Sequence, residues 1–514
     1  MITWRQRWWL LAGALLTRWP GMVRSPLSDD EAIYAVIARE LLRGATLYRD
    51  VTDHKPPALY LLYTAMEWLG GSWAFLVIHA ATALVVWGTA LSLAAIVGHL
   101  RPAANGRAAM WTALAYIAFT TTMMPFDGLA ANAELWMLLP TVWAVLLMMG
   151  QREKGGAEAP DWHAAAAGVL AGIATLFKYQ AIVIVSVLVL LRLIAFEPIH
   201  EPMKKPISDR VRVRMQWNGI LALCAGVLLP FAVWWAHAQL FGDATETAFW
   251  LRFNFGYTSA GVATPDVLTR TVMRVAFAIG PAAALYWWGA RGTWRLLRQR
   301  DATTLVMAVW VLTSAGAVAL GGRWFGHYFH QLTAPMAVLV GLAIADGVST
   351  RWLSVTTAVP TIGFWMVAWN TPRVMRAIGD PVPSYTALIE TLNGLAQRSA
   401  TLCVWGNAPL LLEQAQRPLG CRFVSAHFLT GASPATAAQR NAALADQQIV
   451  PGMWDRFVQD LDERRPTFIV DLSPGDIAHW GAFPVDRYPA LASRLAKSYV
   501  PAASVDGAVI YRRR

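Results

Sequence analysis

The chain has 514 residues, of which 56% are hydrophobic and only 15% charged. A soluble domain carries about 25% charged residues, so this composition excludes an ordinary soluble protein and points to long stretches in lipid. Lys and Arg together number 43 against 32 Asp and Glu. A membrane protein carries such an excess in its inner loops, and it calls for no nucleic acid partner.

Hydropathy predicts about eleven spans, near residues 4–23, 73–98, 108–124, 133–150, 163–177, 179–197, 217–241, 271–290, 302–320, 331–347 and 352–370. The chain therefore reads as a polytopic α-helical membrane protein. Its 26 Trp suit two water–lipid interfaces. The first span is weak, with Arg18 and Pro20 inside it and a basic start. No small-residue cleavage site precedes Asp29, so it is expected to be a retained span rather than a signal peptide. With the N-terminus in the cytoplasm, the dense basic runs Lys204–Arg214 and Arg291–Arg300 fall inside. An odd number of spans then leaves residues 371–514 outside.

The first outer loop, 24–72, carries two charged clusters. Asp29-Asp30-Glu31 opens an amphipathic helix predicted over 29–43, with Ile33, Val36, Ile37 and Leu41 at helical spacing. Ser28 and Glu31 have capping-box spacing, and acids suit a first helical turn. Capping accounts for those two residues without any chemistry, but it requires neither two Asp nor the second cluster, Asp53-His54-Lys55-Pro56-Pro57. There, two prolines stiffen the chain and stop a helix from running back through Lys55. A cation at a helix N-terminus opposes the dipole, so a solvated or snorkelling lysine is a poor explanation of Lys55. A rigid base for a cation near the membrane surface suits an anionic ligand.

Further polar residues are expected on the same outer face. Asp127 and Glu134 flank the third and fourth spans, and Lys178 occupies the short turn between the fifth and sixth. Arg252 lies in the long outer loop after the seventh, and Arg323, His327, Tyr328 and His330 open the tenth. Singly, each reads as an interfacial residue. Together they put carboxylates and cations on one side, as a site with a base and a phosphate clamp requires. The His327/His330 pair lacks a third ligand and is weak as a metal signal.

The tail alternates short apolar runs with helical patterns. Residues 402–405, 421–425, 467–471 and 508–511 read as strands, and 384–398, 453–464 and 487–497 as helices. A small α/β soluble domain over 371–514 on the outer face is expected. Cys403 and Cys421 fall on predicted neighbouring strands, where an oxidising compartment permits pairing but strand neighbours need not meet at disulfide distance. Cys224 lies in a span. No Walker loop, zinc pair or nucleophile elbow is present.

The residues Asp29–Ala35 with Ile37–Leu41, then Lys55-Pro56-Pro57 and Tyr60-Leu61, resemble the first outer loop of the polytopic GT-C glycosyltransferases. The branch they resemble is the bacterial one related to protein O-mannosyltransferases and lipid A aminoarabinose transferases. Arg323–Pro335 resembles the segment that opens a late span there. The resemblance covers about residues 1–370 and implies a GT-C-like catalytic module. It implies an inverting hexosyl- or pentosyltransferase of the bacterial inner membrane, with the C-terminal domain periplasmic. Its substrates would be a polyprenyl-phosphate-linked sugar and an acceptor that is a lipid, a glycan or a protein.

On this resemblance Asp30 is the base, with Glu31 and Asp29 beside it. Lys55 contacts the carrier phosphate on the same resemblance; from the chemistry alone, Arg323, His327, Arg252 and Lys178 are expected as further cations for that phosphate. Asp53, His54, Asp127, Glu134 and Tyr328 line the substrate pocket. Some relatives have a carboxylate that holds a divalent metal ion where this chain has His54, so no metal ligand is assigned. A positioned carboxylate helps a hydroxyl attack by taking its proton, and a lipid phosphate leaves with help from cations alone. Single displacement needs no second nucleophilic carboxylate. A transporter or flippase of a lipid-linked sugar is the rival reading. It predicts polar groups at mid-membrane and internal repeats, and neither is evident. A non-catalytic scaffold leaves both charged clusters unexplained.

Overall fold

The structure is a computed structural model. It describes residues 2–24, 26–102, 106–122, 125–153, 161–194, 209–262, 265–370, 384–432 and 436–514. The basic residues Lys204 and Lys205 lie outside the described residues.

The N-terminal part is helical: α1 (Trp4–Arg24), α2 (Asp29–Leu42), α3 (Pro57–Gly70), α4 (Ala74–Leu100), α5 (Gly106–Phe119), α6 (Pro125–Leu129), α7 (Ala133–Glu153) and α8 (Trp162–Phe177). There follow α9 (Ile184–Ile194), α10 (Asp209–Leu240), α11 (Ala244–Val262), α12 (Val267–Ile279), α13 (Ala283–Gln299), α14 (Ala302–Ala319), α15 (His330–Ala345) and α16 (Leu353–Trp369). Among the described residues, five helical runs are long and apolar enough to cross a membrane: Pro57–Leu100, Ala133–Gly150, Val213–Leu240, Ala302–Ala319 and Gly326–Ala345. Counting the bent pair α12 and α13 as one span makes six.

Three expectations need correction. The span expected at 271–290 is broken, because α12 and α13 meet at 85°. Pro281 sits in the break and has no N–H to continue a helical ladder. The span expected to begin at residue 73 belongs to a 44-residue apolar helical run that starts at Pro57, with α3 as its first part. The outer loop expected after the seventh span is largely the helix α11.

Close packing in the bundle rests on small residues. A Cβ added at Gly168 of α8 would run into the carbonyl oxygen of Leu223, and one at Gly226 of α10 into that of Ala165. The two backbones therefore touch, the arrangement small residues allow when lipid supplies no hydrophobic drive between helices.

The C-terminal part contains a four-stranded sheet in the order β1-β2-β4-β3, from β1 (Leu402–Trp405), β2 (Phe468–Asp471), β3 (Tyr499–Val505) and β4 (Ala508–Arg513). β1 and β2 run parallel, and the other pairs are antiparallel. Its longer helices span Thr386–Leu395, Met453–Glu463 and Pro489–Ser498. Residues 421–425, expected as a strand, form none. β3 was not expected, because Pro501 and its mixed exposure hide the alternation. Cys403 and Cys421 form a disulfide with Cα atoms 5.5 Å apart. The neighbour of β1 is β2, and Cys421 comes within reach because the chain turns back past β1 at the Leu402–Leu419 bridge.

This part sits directly on the first loop. Thr52 N–H donates to the carbonyl of Arg422 at 2.9 Å, and Arg464 donates to the carbonyl of Asp50 at 2.9 Å. Arg39 of α2 pairs with Glu413 at 3.4 Å and Glu67 at 3.3 Å. One apolar cluster runs from Tyr34, Tyr60 and Trp250 into Phe423, Phe428 and the sheet.

Candidate active site

Ser28 caps α2 through its side-chain oxygen, which accepts from the Glu31 N–H at 3.3 Å. Glu31 points inward and is fully buried. It accepts from Leu27 N–H and Ala131 N–H, each at 2.6 Å, and meets His79 Nε2 at 3.0 Å. Burial would raise this carboxyl, but His79 and the two backbone donors outweigh it and hold it below the usual range. With its oxygens so engaged, Glu31 braces the start of α2 against α4 and the segment before α7.

Fixing Glu31 inward aims its neighbour Asp30 at the opposite cluster. Lys55 Nζ lies 3.0 Å from Asp30 Oδ1 and 3.6 Å from Asp53 Oδ2, and 5.0 Å above the Tyr34 ring. Pro56 and Pro57 end the loop, and the Tyr48 hydroxyl donates to the Lys55 carbonyl at 2.7 Å. Asp53 is buried, accepts from the Tyr60 hydroxyl at 2.7 Å and pairs with His54 Nδ1 at 2.9 Å. Burial opposes ionisation of Asp30 and Asp53, yet Lys55 and an imidazole beside each hold both carboxyls below the usual range. Burial pushes the His54 imidazole down, so it is neutral near pH 7.

From the other side of the bundle, His327 reaches the same place. Its Nδ1 is 3.3 Å from Asp127 Oδ1, and its Nε2 is 3.7 Å from Glu134 and 4.0 Å from Asp30. Asp127 also accepts from the Gly326 N–H at 3.0 Å. Lys178 pairs with Glu134 and stands 3.7 Å over the Tyr328 ring. Arg323 is buried, and its charge acts on His54. Asp30, Lys55, Asp53, His54, Asp127, Glu134, Lys178, Arg323, His327 and Tyr328 thus form one polar cluster from residues far apart in sequence.

Two named residues stand elsewhere. Asp29 is exposed at the head of α2, outside the ion-paired cluster. Arg252 is exposed on α11 and lines a separate groove of about 730 Å³ with Trp235, Phe249 and Arg456. Of the missed residues, His79 was findable, since an ionisable side chain inside a span is a functional candidate by default. Tyr60, part of the segment that carries the resemblance, and Asn254, which donates to the His54 carbonyl at 2.6 Å, also belong to the site.

A divalent ion does not fit this donor set. Asp30 and Asp53 are bridged by the Lys55 ammonium, and among the described residues no three His, Cys, Asp or Glu are grouped as ligands.

The crystal structure of ArnT from Cupriavidus metallidurans bound to undecaprenyl phosphate is similar over 98% of this chain and 97% of that one, with a TM-score of 0.60 and 16% identity. The chain has the GT-C fold. Archaeoglobus fulgidus oligosaccharyltransferase is also similar, as its complex with zinc and sulfate (TM-score 0.49, 12% identity, 99% of this chain and 73% of that one). The same enzyme tethered with an acceptor peptide matches with a TM-score of 0.46 and 11% identity, over 99% of this chain and 74% of that one. No family model matches the sequence, and no curated protein does. In this GT-C chain the ionic cluster lies where the first loop, the 323–330 segment and the C-terminal part meet.

Proposed function

We propose that the protein is a membrane glycosyltransferase that moves a sugar from a polyprenyl-phosphate carrier to an acceptor hydroxyl on the outer face of the membrane. The observation that supports this best is the Asp30–Lys55 pair at 3.0 Å, with His327 beside it and Arg323 and Lys178 nearby. A base and a cation that share one place suit a reaction in which a hydroxyl loses a proton while a phosphate leaves.

In the resting state Lys55 holds Asp30 ionised and weakly basic. An incoming donor phosphate competes for Lys55, and the Asp30 carboxylate, relieved of its cation, becomes a stronger base. The acceptor hydroxyl gives its proton to Asp30 as its oxygen bonds to the anomeric carbon. The bond from that carbon to the phosphate oxygen breaks, and its electrons go to the carrier phosphate, which Lys55 and Arg323 stabilise. Single displacement inverts the anomeric centre. Burial of the polyprenyl tail against the exposed apolar faces of the bundle supplies affinity remote from the reacting atoms.

The test supplies purified protein with labelled polyprenyl-phosphate sugars and candidate acceptors and follows release of the free carrier phosphate. Release coupled to acceptor glycosylation is the expected result. Movement of intact lipid-linked sugar across a vesicle without release would instead mark a flippase.

A further inference from the structure

The C-terminal part brings a second polar group to the cluster. Phe428 packs 6.0 Å from the His54 ring, and Phe253 of α11 packs against both rings. The residue before it, His427, therefore stands beside the segment Asp53–Lys55. The charges that act on it are those of Asp53, Lys55 and Arg323. His427 Nδ1 is 2.9 Å from Ser425 Oγ, and Ser425 Oγ donates to Asn407 Oδ1 at 2.6 Å.

With the Asn407 amide oxygen facing Ser425, that chain of contacts selects one imidazole tautomer. A serine hydroxyl has one hydrogen, and here it is given to Asn407. Ser425 can then only accept from His427, so Nδ1 carries the ring hydrogen and Nε2 carries a lone pair. Burial pushes this imidazole down to about 3, so the ring is neutral at physiological pH. Among the described residues no group binds Nε2, and it is not sealed from solvent. A neutral nitrogen lone pair repels phosphate oxygens and accepts a hydrogen from a hydroxyl.

We propose that Asn407, Ser425 and His427 form a subsite for a sugar hydroxyl, in which His427 Nε2 accepts the hydroxyl hydrogen. The inference rests on the glycosyltransferase reading and adds to it a division of labour. Lys55 and Arg323 take the phosphate, and the C-terminal part takes the sugar. The hydroxyl belongs to the donor sugar or to a sugar-bearing acceptor.

The test uses the full chain in detergent and two probes, an alkyl glycoside that has hydroxyls and no phosphate and an alkyl phosphate that has the reverse. His427→Phe is expected to weaken alkyl glycoside binding about tenfold, since a substrate hydroxyl loses its partner, and to leave alkyl phosphate binding unchanged. His427→Gln, whose amide oxygen still accepts, should recover most of the loss. Lys55→Ala should show the opposite pattern. Ser425→Ala, which frees the tautomer, should give an intermediate loss and serves if the Phe variant does not fold. In turnover, a raised KM for the donor alone assigns the hydroxyl to the donor sugar, and a raised KM for the acceptor alone assigns it to the acceptor, with kcat nearly unchanged in both. Absence of glycoside binding by the wild type, or equal binding by His427→Phe, overturns the subsite. Glycoside binding that depends on His427 without any release of carrier phosphate leaves the subsite standing and sinks the glycosyltransferase reading.

Discussion

Lys55 Nζ lies 3.0 Å from Asp30 Oδ1, and this one contact ties the two charged clusters of the first loop together across 25 positions of sequence. It makes the base and the phosphate cation parts of one switch, since whatever draws Lys55 away raises the basicity of Asp30.

Asp30→Asn keeps the shape of the side chain and removes the base. Transfer should fall by at least about a hundredfold, the usual contribution of a positioned base, while donor binding persists. Single-turnover release of carrier phosphate measures the first and donor titration the second. Full activity in this variant would exclude Asp30 as the base.

The pH profile tests the coupling. Lys55 and His327 keep the Asp30 carboxyl depressed, so the wild-type resting enzyme holds it ionised to pH values below the ordinary aspartate range. Lys55→Ala removes the larger of the two depressing charges, so the carboxyl titrates at higher pH. The acid limb of kcat/KM should therefore move up in pH in that variant, with weakened donor affinity. An unmoved limb would count against the coupling.

Glu31 is predicted to matter for stability rather than for proton transfer. It is fully buried against His79 and two backbone N–H groups. Glu31→Ala takes the carboxylate away from His79 and from both backbone donors and should cost about 3–5 kcal/mol, read as a lowered Tm in detergent. Glu31→Gln should cost less, because an amide oxygen still accepts.

The disulfide braces the segment that holds the first loop. Cys421 precedes Arg422, whose carbonyl accepts from Thr52, one residue before Asp53. Cys403→Ser with Cys421→Ser should cost about 3 kcal/mol for a loop of 18 residues. It should also raise the KM for donor, which a purely remote crosslink would leave alone. Thermal unfolding and steady-state kinetics separate the two effects.

Local signals in the chain were legible where the physics is local. Capping at Ser28, the helical rhythm of 29–43 and the apolar runs that became β1, β2 and β4 follow from side-chain period and backbone chemistry within a few residues. The 85° break at Pro281 was readable in principle from a proline in an apolar run, but hydropathy averages across it. β3 was hidden by Pro501 and by exposure along its length.

By itself the sequence determined that the chain is a membrane-embedded helical bundle with a mixed C-terminal part, and that a carboxylate and a proline-braced lysine occupy its first loop. Those are consequences of composition, period and turn chemistry, all short-range. Which groups meet was decided only by the tertiary structure. It divided Asp29, Asp30 and Glu31 among solvent, the ionic cluster and a buried brace, because a helix turns each successive side chain about 100°. It placed His327 against Asp30, with Asp127, Glu134 and Lys178 gathered around that imidazole and its partners, and left Arg252 in another groove. It also packed Phe428 of the C-terminal part against His54, the neighbour of Lys55. Such convergence depends on how closely helices pack at residues such as Gly168 and Gly226 and on where the sheet docks, and neither leaves a periodic mark in the sequence.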